Sequence, residues 1–174
     1  MFATGTKNRE QLINSYLSPF DDDLTSLYRD IISCLSEIGY SPKKEKSSIS
    51  FKHDLHNKQI AKIGIKTNKK TESSLFFSLR FSACREYSQR FSDIVRSYIA
   101  KYPSRTARCT DNNGCEFCAG RPDTHVYAYE KSLHCGAYAV EIPDITASDL
   151  DEIRKLISEE HEYLMSCEVM KTNT

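Results

Sequence analysis

Ser74-Leu-Phe-Phe-Ser-Leu-Arg-Phe-Ser-Ala83 alternates without a break. Leu75, Phe77, Leu79, Phe81 and Ala83 fall on one side, and Phe76, Ser78, Arg80 and Ser82 on the other. Successive side chains of a strand point to opposite faces, so this period of two predicts a strand with one face packed and one mostly wet. Two neighbouring runs repeat the pattern. Residues 59–66 set Ala61, Ile63 and Ile65 against Ile60, Lys62, Gly64 and Lys66, and residues 47–53 set Ile49 and Phe51 against Ser48, Ser50 and Lys52. The connections Asp54–Lys58 and Thr67–Thr71 are short and polar, as hairpins require, which predicts an antiparallel meander.

Helical spacing brackets these strands. Leu24, Leu27, Tyr28, Ile31, Leu35 and Ile38 recur on one face of a helix over 22–38, with Asp21 or Asp22 as its cap, Gly39 as its stop and Pro42 behind. A shorter helix over 6–17 ends at Ser18-Pro19, because the residue before proline avoids the α region. Tyr87, Phe91, Ile94, Val95, Tyr98 and Ile99 mark a helix over 86–101. Leu150, Ile153, Leu156, Ile157 and Leu164 mark another over 147–164, with Thr146 and Asp149 at capping spacing and a frayed tail from Cys167. Two further strands are expected over 125–130 and 135–142. The reading is an α+β domain over 1–174: a mainly antiparallel sheet of about five strands with helices packed on one face.

The chain has 174 residues, enough for one domain with its own core. Its 18 Phe and Tyr residues exclude a disordered class, and no run of apolar residues reaches the length of a membrane span. The N-terminus lacks the apolar core of a secretory signal, which places the chain in the cytoplasm and its cysteines in a reducing setting. Seven cysteines, an odd number, fit a disulfide framework badly.

Three of them fall in Cys109-Thr-Asp-Asn-Asn-Gly-Cys-Glu-Phe-Cys-Ala-Gly120. Cys115 and Cys118, two residues apart and followed by Gly120, have the form of a zinc knuckle, and the turn formers Asp111 to Gly114 return Cys109 to the same ion. A structural zinc needs a fourth ligand, for which Cys135 is the choice. The segment 103–142 then becomes a metal-binding unit with Cys109, Cys115, Cys118 and Cys135 around structural Zn2+. A tight hairpin between 125–130 and 135–142 would leave Cys135 about 17 Å from the start of the first strand, at about 3.3 Å per residue. That distance keeps His125, and after it His134, open as alternatives.

Cys84 and Arg90 have the C-x5-R spacing of cysteine-dependent phosphatases, between a strand and a helix. The loop has no glycine to turn its amides toward phosphate, and Glu86 puts negative charge in it, so a phosphoryl-transfer enzyme is only an alternative reading. Cys34 borders a helical stripe as a small core residue, and Cys167 is a tail thiol. Tyr127, Tyr129 and Tyr138 are strand aromatics that would line a small-molecule pocket.

The overall neutrality is a cancellation. Residues 43–70 carry a net charge of +7 and residues 141–168 a net charge of −7. The basic stretch reads either as a phosphate-contacting sheet face, with Phe76 and Arg80 beside it to stack on bases, or as the solvated side of an amphipathic sheet. Lysines without interleaved arginines favour the second and argue against a nucleic-acid partner. The two patches meeting each other, within one chain or across a homodimer, is a further option.

With these elements in place, Phe20-Asp-Asp-Asp-Leu24, the Ile60–Ile65 strand and Leu75–Phe81 resemble small bacterial α+β domains related to frataxin-like iron chaperones. The resemblance covers about the first hundred residues and implies the order of elements; no site residue is carried over from it. The expected function is a binding or interaction module whose second half is organised by a four-cysteine zinc site.

Overall fold

The computed structural model describes residues 3–67, 73–107 and 125–172. Among them the elements run α1 (Ala3–Leu17), α2 (Asp22–Glu37), β1 (Tyr40–Lys44), β2 (Ser48–His53), β3 (Gln59–Lys66) and β4 (Ser74–Leu79). They continue with α3 (Gln89–Lys101), β5 (Val126–Tyr129), β6 (Ser132–Cys135), β7 (Val140–Ile142), a 3-10 turn (Ala147–Asp149) and α4 (Leu150–Thr172). The main sheet has the antiparallel order β1-β2-β3-β4-β7, and β5 and β6 form a separate hairpin. The expected α+β class and antiparallel meander are therefore present. No helix among the described residues is long and apolar enough to cross a membrane.

Strand register sorts the sheet into two faces. Phe51 pairs with Ala61, Ile63 with Phe77, Ala61 with Leu79, and these last two with Ile142 and Val140. Directly paired residues share a face, so all of these line one side. They are buried together with Ile31 and Leu35 of α2 and Ile153, Leu156 and Ile157 of α4. Tyr28 of α2 meets Phe77 edge to face at 6.5 Å, which puts α2 on this side. The other face carries a row across five strands: Lys43, Ser50, Lys62, Ser78 and Glu141. Beside it Ser48, Gly64 and Phe76 form a second row. A Cβ on Gly64 would come within 2.4 Å of the Phe76 ring and 2.8 Å of Ser48, so the ring lies in the space that glycine leaves.

Several boundaries differ from expectation, each for a local reason. β1 follows directly on the α2 stop and was not read from the sequence, because Tyr-Ser-Pro-Lys-Lys has a proline and little alternation. It is an edge strand, where proline is tolerated. The expected strand 74–83 ends at Leu79, since Arg80, Ser82 and Ala83 leave the ladder to bind α4. The expected strand 135–142 breaks into β6 and β7 at Gly136, whose added Cβ would lie 1.9 Å from the His125 carbonyl and 2.3 Å from Ser82 Oγ. α3 starts at Gln89, not 86, because Ser88 caps it by accepting from Phe91 N. It contacts β7 and β5, and its buried Phe91, Val95, Tyr98 and Ile99 join the same core as α2 and α4. The expected fraying from Cys167 is also corrected: α4 runs to Thr172 and Cys167 is 2% exposed.

Candidate functional site

Between α3 and the open face of the sheet runs a groove of about 700 Å³. Its sheet wall is Ser78, Val140, Glu141 and Pro143, and its helix wall includes Ile94, Tyr98 and Lys101. Tyr102 and Arg105 close one end. The helix presents this wall because Phe91, Val95, Tyr98 and Ile99 turn inward at helical spacing, which leaves Ile94, Ser97 and Lys101 to the groove. Phe91 meets Phe81 edge-on at 5.9 Å, and Tyr98 meets Tyr127 at 5.6 Å, so the wall is fixed to the core by aromatic pairs.

Arg105 is surrounded by aromatic rings. Its guanidinium carbon lies 4.0 Å from the Tyr102 ring centroid, 4.5 Å from that of Tyr138 and 5.8 Å from that of Tyr98. Lys101 Nζ lies 5.4 Å from the same Tyr102 ring. The backbone is held as well. Arg105 N donates to Tyr102 O, and Arg105 O accepts from Cys135 N, both at about the usual hydrogen-bond length, 3.0 and 2.9 Å. His134 Nε2 lies 2.9 Å from Tyr102 O. Strand β6 thus anchors the end of the groove at both Tyr102 and Arg105.

The groove's acids have partners. Asp93 pairs with Arg96 at 2.8 Å, Glu141 with Lys66, and Arg90 is taken by Asp149 at 2.8 Å and by the carbonyls of Pro143 and Asp144. Among the described residues neither Lys101 nor Arg105 has a carboxylate within ion-pair distance. The groove therefore keeps two cations without acidic partners beside three tyrosine rings.

The expected tyrosine set separates. Tyr127 is 1% exposed; its hydroxyl accepts from Phe81 N and donates to Tyr138 O, and burial pushes its ionisation far up. It is a core tie. Tyr129 lies under Arg96, at 5.8 Å. Tyr138 alone of the three is open, at 45%, and stacks on Arg105. Tyr98 and Tyr102 are the rings that do line the groove; by sequence Tyr98 is only an inward helical position and Tyr102 is not singled out.

Cys109, Cys115 and Cys118 lie outside the described residues. Cys135 is a half-buried free thiol. The register removes the distance that set it against His125: the hairpin turns at Glu130-Lys131, and Cys135 pairs with Val126 at the start of β5. Both histidine alternatives are engaged elsewhere. His125 stacks on Tyr163 of α4 at 5.6 Å, and His134, next in strand to Cys135 and so on the opposite face, points to Tyr98 and Tyr102. Among the described residues no group of three His, Cys, Asp or Glu side chains is arranged to hold a metal.

Cys84 and Arg90 are not displayed as a phosphate cradle. Cys84 is 6% exposed, its thiol donates to Leu156 O at 3.5 Å, and burial, then Glu160 and Glu159, push its pKa up, away from the thiolate a nucleophile needs. Arg80, expected beside the basic face, is inside. It pairs with Glu160 at 2.5 Å, with both side chains almost fully buried. On the basic face itself Lys62 pairs with Glu45 at 2.6 Å, and Lys66 pairs with Glu141 and covers Phe76. The Lys66–Glu141 contact joins the basic and acidic stretches within one chain.

One cluster had no sequence signal. His53 and His56, at the β2–β3 turn, stack at 4.3 Å, and His161 of α4 lies 5.4 Å from His53. Tyr40 meets all three rings edge-on. Their positions, 53, 56 and 161, come together only through the packing of α4 on β1 and the hairpin. No family model, curated protein or solved structure matches this chain.

Proposed function

We propose that the protein is a binding module that takes a small ligand in the groove between α3 and the open sheet face, and that Cys109, Cys115, Cys118 and Cys135 hold a structural zinc in the segment 103–142. The observation that carries the reading is the end of the groove. There Lys101 and Arg105 stand without acidic partners among the described residues, against Tyr98, Tyr102 and Tyr138, and strand β6, which bears Cys135, is hydrogen-bonded to that end. Pockets of several hundred cubic ångströms, with aromatic walls and a few placed polar groups, are the ordinary form of small-molecule sites. Zinc would supply structure and not chemistry: four thiolates close its tetrahedron and leave no position for a substrate.

Metal analysis of protein purified without added zinc tests the first half, with one zinc per chain expected and less than about 0.2 overturning it. Amide shift mapping with a set of small neutral and anionic compounds tests the second. Shifts confined to Ser97, Lys101, Tyr102, Arg105 and Ala139 support the groove, and a set that perturbs none of them overturns it.

A further inference from the structure

Resting on that reading of the groove, we infer that its ligand is a small organic phosphate, with the phosphate held by Arg105 and Lys101 and a ring-bearing body lying on Ile94, Ala139 and Pro143. Three observations converge on the phosphate. The Arg105 guanidinium carbon lies 4.0 Å and 4.5 Å from the ring centroids of Tyr102 and Tyr138, so ring contacts favour the charge at this place, and its N–H donors are what an anion would bind. Those donors form a fork that matches phosphate or carboxylate oxygens. The Arg105 backbone is held at N by Tyr102 and at O by Cys135, so the side chain projects from a fixed point.

The second observation is the charge balance. Among the described residues both carboxylates on the groove's wall are already paired, Asp93 with Arg96 and Glu141 with Lys66, while two cations share the Tyr102 ring and form no ion pair. Two uncompensated charges favour a dianion over a single carboxylate. Third, the space is larger than a bare anion needs. A groove of about 700 Å³ with Ile94, Ala139 and Pro143 in its lining has room and apolar surface for a ring attached to the phosphate.

The test uses the full chain as purified and three probes: phenyl phosphate, inorganic phosphate and phenol, followed by calorimetry and amide shifts. Phenyl phosphate is expected to bind with a Kd of about 1 mM or tighter at low salt, inorganic phosphate more weakly, and phenol not measurably. Arg105→Gln removes a charged donor and should weaken phenyl phosphate about 10- to 100-fold, and Arg105→Lys, which loses the stacked fork, about tenfold. Lys101→Gln, an exposed change that leaves the stacked arginine in place, should weaken it several-fold. Thermal unfolding of each variant confirms that it folds. Unchanged binding in folded Arg105→Gln overturns the proposal. Phenol binding as well as phenyl phosphate also overturns it, and leaves the groove as a site for neutral ligands. If none of the probes shifts the groove amides and the neutral set fails too, both readings fall together.

Discussion

Glu160 shows how much a single residue on α4 organises. Its carboxylate pairs with Arg80 at the end of β4, accepts from Ala83 N at 2.8 Å and takes a longer contact from Ser82 Oγ. Burial raises its pKa, and the Arg80 charge and the Ala83 amide oppose that rise. Removing only one charge should therefore be worse than removing both. Glu160→Gln keeps an acceptor for Ala83 but leaves a buried guanidinium without its counter-ion, which is expected to cost about 3–5 kcal/mol in urea unfolding. The double variant Arg80→Met with Glu160→Gln should recover most of that loss; a double variant no more stable than the single would show that the pair itself holds the fold. Gly136 is the second position of this kind. Its carbonyl accepts from Ser82 Oγ at 3.0 Å, and a methyl group there meets the His125 backbone carbonyl as well as the Ser82 side chain. Gly136→Ala should cost about 1–3 kcal/mol as an overpacking change, read in the same unfolding experiment.

The elements differ in how legible they are before folding, and the reason is the range of the forces that make them. α2, β2, β3 and β4 each carry their own periodic apolar pattern, so a local reading finds them. β1 has no such pattern; Tyr40, Ser41 and Pro42 are buried because β2 lies beside them and Tyr40 meets His161 from α4. The break at Gly136 depends on Ser82 and His125, fifty-four and eleven residues away. The groove has the same origin: Arg105 stacks on Tyr98, Tyr102 and Tyr138 only because the β5–β6 hairpin turns at Glu130-Lys131 and brings β6 against residues 105–107. The histidine cluster, another product of long-range packing, gives the junction of the β2–β3 turn and α4 a pH dependence. Burial first and the His53 charge second lower the pKa of His161, with Glu162 opposing them. A base with a lowered pKa binds fewer protons folded than unfolded in that window. Its contribution to stability is complete above the ordinary histidine value of about 6.5 and is lost as pH falls below it. Thermal unfolding of the chain and of His161→Phe between pH 8 and pH 5 checks this. The wild-type chain should lose more stability on acidification than the variant, and parallel curves would remove the assignment.

For the whole molecule, the question is whether the segment 103–142 is a separate cooperative unit that sets the groove. The main sheet has its own core with α2 and α4. The β5–β6 hairpin has less: it adds Tyr127 and half-buried Tyr129 to that core, and Val126 forms a small separate cluster with Ala107. Two strands are marginal alone in water, so an additional tie is needed where the hairpin meets residues 105–107. The structural zinc proposed at Cys135 would supply one of ample size, since such ions contribute about 10–16 kcal/mol in finger-like peptides. Removing it should loosen the hairpin without unfolding the sheet. Because Cys135 N–H binds Arg105 O, Leu133 O accepts from Ala107 N, and His134 reaches Tyr102 O, the loss should pass directly to the cationic end of the groove. Hydrogen exchange with and without a chelator reads this segment by segment. Amides of residues 102–107 and 126–135 should lose protection while those of β2, β3 and β4 keep it, and phenyl phosphate affinity should fall with the first group. Protection unchanged in 102–107 after the metal has left would separate the metal segment from the groove, and uniform loss everywhere would make zinc a determinant of the whole fold.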